Sequence, residues 1–229
     1  FPAVPVPELI SHYPDALRSE AGEFALLFAP PTKKILRAMT PDKNVLSGET
    51  AGAVSLAGNE HEGIQIVMVP LWDKAETRDV QVWVEPLINK KAGEFVMDSE
   101  VTARPVGYWG LQEDNKLIGT PWPDILLPSA VADRADFSAR GQELQPIWVD
   151  VSVSRDTPPG DYETTVRIMT QGHSVVARID VHVYDFAIPT AHSLHFTMTG
   201  FQPGSRELLP KYRIALRRIM DPGPPFDQY

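Results

Sequence analysis

Between Ile147 and Tyr184 nearly every second residue is apolar, and that alternation leaves few folds open. Ile147, Val149, Val151 and Val153 alternate with Trp148, Asp150, Ser152 and Ser154. The turn sequence DTPPG (Asp156–Gly160) follows, then a second run, Tyr162–Thr170. Gln171-Gly172 makes another turn. In the third run Val175, Ala177, Ile179, Val181 and Val183 oppose Val176, Arg178, Asp180, His182 and Tyr184. A period of two buries one face of a pleated strand and leaves the other at least partly wet. Strands at this spacing, with turn residues between them, predict an antiparallel sandwich.

The preceding sequence carries the same signal. Strands are expected at Phe24–Phe28, Lys34–Met39, Val54–Ala57, Gly63–Val69 and along Val80, Val82 and Val84. In Gly63–Val69 the residues Ile64, Ile66 and Met68 share one face, and Gln65, Val67 and Val69 the other. Phe95–Met97 and Val101–Tyr108 read as a hairpin or meander. Residues 109–143 show little periodicity and read as a long irregular stretch, the kind of loop that often carries function. The chain has 22 prolines in 229 residues, about twice the usual share. Proline is excluded from helix interiors and central strands, so turns and edges should be many. Residues 1–20 are expected to be an extended proline-rich arm, with one short helical turn around Glu8–His12. Beyond residue 190 the pattern changes. Leu194–Thr199 reads as a strand, and Ser205 as the cap of a helix over Glu207–Met220, with Leu208, Leu209, Tyr212, Leu216 and Ile219 on one face.

The expected fold class is therefore all-β: a two-sheet antiparallel β-sandwich over residues 21–190, followed by a short β-α segment over 191–229. That last pair is what the first unit of a (β/α) barrel would look like. Composition narrows the function classes. The net charge of −9 argues against nucleic acid as a partner. No run of 18 apolar residues exists, so no membrane helix is expected. Cysteine is absent, which excludes thiolate metal sites, thiol nucleophiles and disulfides. The chain opens at Phe1 without a charged or long apolar leader, like a mature chain whose secretion signal has been removed. A secreted, periplasmic or cell-surface location is expected.

Three segments in order resemble one family: Asn59–Pro70 (NEHEGIQIVMVP), Thr120–Pro128 (TPWPDILLP), and PIWVDVSVSRDTPPGDYETTVRI with VHVYDFAIP between Pro146 and Pro189. Together they resemble the amino-terminal β-sandwich of glycoside hydrolase family 123-like proteins, over roughly residues 50–220. The resemblance implies that a catalytic (β/α)8 barrel follows the sandwich, with His195–Phe201 as its first strand. It also implies substrate-assisted cleavage of N-acetylhexosaminides by an adjacent Asp-Glu pair on that barrel. This sequence contains no Asp-Glu dipeptide. A barrel also needs about 250 residues. The catalytic residues are expected elsewhere, with the barrel in the same or a separate polypeptide.

No catalytic residue, metal ligand or cofactor is expected within the chain. The acidic residues are spread over turns and strand faces and read as solvated surface. His61 between Glu60 and Glu62 reads as a turn before a strand. His173, His182, His192 and His195 lack the spacings of zinc enzymes. The candidate carbohydrate-binding residues are Tyr108, Trp109, Trp122 and Asp124, since aromatic faces stack on sugar rings and a carboxylate binds hydroxyls. Trp83 and Trp148 alternate with core positions and are expected on outer strand faces. Phe186, Ile188 and Pro189 read as an interdomain plug. The reading is a non-catalytic front domain of a secreted glycan-degrading hydrolase, with a glycan and a barrel as partners. A free-standing carbohydrate-binding module and a structural assembly sandwich are the alternatives.

Overall fold

A computed structural model describes residues 4–113, 116–128, 134–189, 196–199 and 216–220. Two sheets face each other. The first contains β1 (Leu17–Arg18), β2 (Phe24–Ala29), β4 (His61–Pro70), β7 (Ser99–Glu113), β8 (Lys116–Leu126) and β10 (Gln145–Val153), in the order β1-β2-β4-β10-β7-β8. The second contains β3 (Ala51–Gly58), β5 (Thr77–Val84), β9 (Arg134–Arg140), β11 (Gly160–Thr170) and β12 (His173–Ala187), in the order β3-β12-β11-β5-β9. The short β6 (Ile88–Asn89) pairs with β11. All-β and two-sheeted is what the alternation predicts. Within these two sheets the pairs are antiparallel except one: β3 runs parallel to β12. The long connection that a parallel pair requires is available, because more than a hundred residues separate the two.

The core follows from the period-two faces. Ile64, Ile66 and Met68 of β4 and Ile147, Val149 and Val151 of β10 meet Ile179, Val181 and Val183 of β12 and Val166 and Ile168 of β11. Each such side chain, fully buried, contributes roughly 1.5–3 kcal/mol. The β11–β12 hairpin turns on Gln171 and Gly172, both with positive φ. Two left-handed central residues match the twist of the flanking strands.

In the first sheet, β2 and β4 are buried on both sides. Ala25, Leu27, Val67 and Val69 point away from the sandwich into a second cluster with Val6, Leu9, Ile10, Tyr13, Ile35 and Leu46. That explains why β2 (FALLFA) and β4 read as continuous apolar runs, whereas β12, with one face in solvent, alternates cleanly. The cover is the proline-rich segment itself. It is no free arm: α1 (Val6–Ser11) lies over the sheet with Val6, Leu9 and Ile10 buried. Pro5 and Pro7 are compatible with this helix because first-turn N–H groups have no intrahelical partner anyway.

Four further expectations need correction. Lys34–Met39 is a loop, not a strand. Its backbone is held from outside, by Tyr108 on the Ile35 carbonyl and by the Leu144 N–H on the Arg37 carbonyl. Phe95 bridges to Ile88 rather than forming a hairpin with Val101–Tyr108. The irregular stretch 109–143 is largely strand, supplying the end of β7, β8 and β9. Finally, Leu216–Met220, expected to end a helix, forms β14, which pairs in parallel with β13 (Phe196–Thr199). Partners across a sheet override local helix periodicity there. The remainder of the expected helix lies outside the described residues.

Candidate functional site

The candidate residues fall on the β7–β8 hairpin, where the register decides which of them meet. Trp109 pairs with Trp122, and Tyr108 with Pro123. The next pair is Gly107 with Ile125, so Asp124 is an extra residue bulged out of β8. Adjacent residues of a strand point to opposite faces, so the hairpin divides the four. Trp109 and Trp122 lie together on one face, 57% and 50% exposed. Tyr108 points the other way, under the loop over residues 30–46.

Tyr108 is a structural residue. Its hydroxyl is 2.9 Å from the Ile35 carbonyl and 3.2 Å from that of Leu144. The Arg37 guanidinium stands 4.4 Å above its ring and bonds Glu143 at 2.6 Å. Burial pushes the phenol well above its ordinary range, Arg37 pulls it down, and Glu143 pushes it up. A phenol whose folded pKa is raised stabilises the fold below pH about 10, its unfolded value, and loses that contribution as pH climbs beyond. Tyr108→Phe is expected to cost about 1–3 kcal/mol at neutral pH through the two carbonyls left without their donor. It should also flatten the alkaline fall in stability; urea midpoints at pH 7 and above pH 10 check both, and an unchanged alkaline slope would remove Tyr108 as its source.

Asp124 finds a partner that sequence reading missed. Its Oδ1 accepts a hydrogen bond from Lys34 Nζ at 2.6 Å, and the side chains are 65% and 45% exposed. The pair stands over a cleft of about 280 Å³ between the loop and the outer face of the first sheet. Gln65, Pro123, Leu126 and Trp148 help to line it. Trp148 is on the outer face of β10, as expected, and lies across Gly63: a β-carbon there would come within 2.5 Å of the indole. Gln65 Nε2 donates to the Pro30 and Lys33 carbonyls at 2.7 and 2.8 Å, which fixes the loop wall. A glutamine inside an apolar strand was the one visible signal for that role. Hollows of about 310 Å³ near Tyr13 and 330 Å³ beside Phe28 lack a tryptophan.

The other candidates have local roles. Glu60 Oε2 accepts from the Ala57 N–H at 2.6 Å in the β3–β4 turn. His61 lies 3.5 Å from Asp150, and His182 bonds Asp161 at 2.8 Å. His192 and His195 lie outside the described residues. Among the described residues no group of three or more His, Asp or Glu is placed to hold a metal ion. Trp83, also on an outer face, carries the Arg134 guanidinium 4.8 Å above its ring.

Comparison with known proteins gives three findings. Residues 51–170 match the family model of the glycoside hydrolase 123 N-terminal domain. Among solved structures, a family 123 glycoside hydrolase from Clostridium perfringens, analysed for glycolipid glycan hydrolysis, superposes with a TM-score of 0.54 at 11% identity. The match covers 77% of this chain and 30% of that one, so this chain spans less than a third of that enzyme's length. At that identity the likeness is one of fold. The N-terminal domain of PorA overlaps at a TM-score of 0.33 and 7% identity, over 71% of this chain and 99% of its own, which is too loose to carry an argument. No curated protein sequence matches the chain.

Proposed function

The chain belongs to the glycoside hydrolase 123 N-terminal domain family, and from that premise we propose that it is the non-catalytic front of a secreted enzyme that cleaves N-acetylhexosaminides. Its task is to seat a catalytic barrel, in the same or a separate polypeptide. The observation that carries this reading is the end of β12. His182 and Tyr184 meet edge to face at 5.0 Å, and Tyr184 and Phe186 stack at 5.7 Å. Tyr184 and Phe186 are 44% and 63% exposed, an apolar step with no cover among the described residues. Directly after it the exit is pinned: Ile188 N–H donates to the Gly58 carbonyl, and Asn59 Nδ2 to the Ile188 carbonyl, both at 2.8 Å. An exposed aromatic stack beside a fixed exit suits a rigid interdomain joint better than a flexible tether.

The test is native mass spectrometry of the protein from its source, with an N-acetylhexosaminide hydrolysis assay. The expected result is a heavier species, continuous or associated with a barrel, that hydrolyses the substrate while the 229-residue chain alone does not. Phe186→Ser should loosen or destabilise that species. A lone active or inactive species at 25.4 kDa would overturn the reading.

A further inference from the structure

The geometry points to a sugar-binding subsite in the cleft beneath Lys34 and Asp124, built to hold a single neutral hexopyranose ring of a glycan. The inference rests on the family membership and not on the barrel. A chain that binds sugar but never meets a barrel would sink the previous reading and leave this one standing.

Three features select this occupant. The first is the floor. Trp148 is half-buried, and the bare Gly63 beneath it lets the indole lie close to the sheet. A flat, rigid aromatic face beside Pro123 and Leu126 complements the C–H face of a pyranose, with few rotamers to freeze. The second is charge. Asp124 and Lys34 are held 2.6 Å apart, so the rim offers a carboxylate acceptor and ammonium donors side by side, with Lys33 also on the lining. Neighbouring sugar hydroxyls both donate and accept, and bonds to charged groups are the stronger ones. The third is size and preorganisation. About 280 Å³ is at the small end of ligand pockets, which suits one ring and not an extended chain. Its loop wall is already tied down by Gln65, so little ordering remains for the ligand to drive. The exposed Trp109–Trp122 pair is on the opposite face of the hairpin.

The test is saturation-transfer NMR and calorimetry on the 229-residue chain, with the methyl glycosides of N-acetylgalactosamine, galactose and glucose as probes. At least one should bind saturably in the millimolar range, as one stacked ring with a few hydrogen bonds would. Asp124→Asn and Lys34→Met, both at exposed positions that leave the fold intact, should each weaken binding at least fivefold. Trp148→Ala should abolish it. Absence of saturable binding for all three probes would overturn the proposal. So would loss of binding in Trp109→Ala or Trp122→Ala while Asp124→Asn and Lys34→Met bind normally, since the sugar would then lie on the other face.

Discussion

Leu9→Ala lowers the stability of the folded chain by roughly 2–5 kcal/mol, the usual cost of hollowing out a packed leucine. Leu9 has no exposed surface. It sits among Ile10, Tyr13, Leu27 and Val67 in the cluster on the outer face of the first sheet. For a domain of this size each kcal/mol moves Tm by about 2–4 °C, so the change is readily seen by calorimetry or urea unfolding. Glu8→Ala, one residue away on the exposed side of the same helix, should stay within about 0.5 kcal/mol of the parent. The contrast separates two pictures of the first twenty residues. An extended arm in solvent gives both variants the parent's stability. A third layer that buries the back of β2 and β4 gives a large loss in one and none in the other. Equal behaviour of the two variants would mean that the helix is off the sheet in solution.

The reason this layer escaped the sequence is physical. Proline density marks where a ladder cannot form, but it does not say whether the segment packs. Pro5 and Pro7 sit where a helix needs no N–H. What did betray the layer is β4: Ile66 and Val67, adjacent and therefore on opposite faces, are both fully buried. Strands with one wet face, β10 to β12, were legible because alternation survives there. The β7–β8 hairpin was not, for two reasons. Bulges at Gly107–Tyr108 and Trp109–Leu111 shift the phase of the pattern. Pro121 and Pro123 look like strand breakers but are tolerated because β8 is an edge strand. The candidate site shows the same division. Asp124 was legible as a carboxylate near aromatic residues, and Trp148 as an outer-face residue. Their common cleft was not, because Lys34 comes from a loop 90 positions away, and a contact at that range exists only once the sheet has formed. Tyr108 next to Trp109 looked like one aromatic patch, and the pleat separates them.

Gly141→Ala is expected to cost about 3 kcal/mol or more, above the ordinary range for a single overpacking change. An added β-carbon would stand 2.0 Å from the Asp73 carbonyl oxygen and 2.6 Å from its carbon. Both are backbone atoms, so no side chain can swing aside. The place matters as much as the clash. Residues 71–76 carry the chain from β4 in the first sheet to β5 in the second, and residues 141–144 carry it back from β9 to β10. The two crossings are tied together: Gly141 N–H donates to the Glu76 carbonyl at 2.9 Å, Gln142 N–H to that of Pro70 at 3.1 Å, and Arg140 Nε to that of Lys74 at 3.1 Å. Beside them Trp72 is buried under the Arg78 guanidinium, which bonds Glu23 and Glu76. Pushing the crossings apart therefore loosens the corner where both sheets join. Gly93→Ala is the comparison, because its φ of +70° faces open space; only the left-handed backbone penalty of about 1–2 kcal/mol applies there. Hydrogen exchange separates the two causes: Gly141→Ala should strip protection from the amides of residues 141 and 142, and Gly93→Ala should leave them protected. A Gly141→Ala chain as stable as Gly93→Ala, with those amides still protected, would mean that the two crossings do not touch as closely as this corner requires.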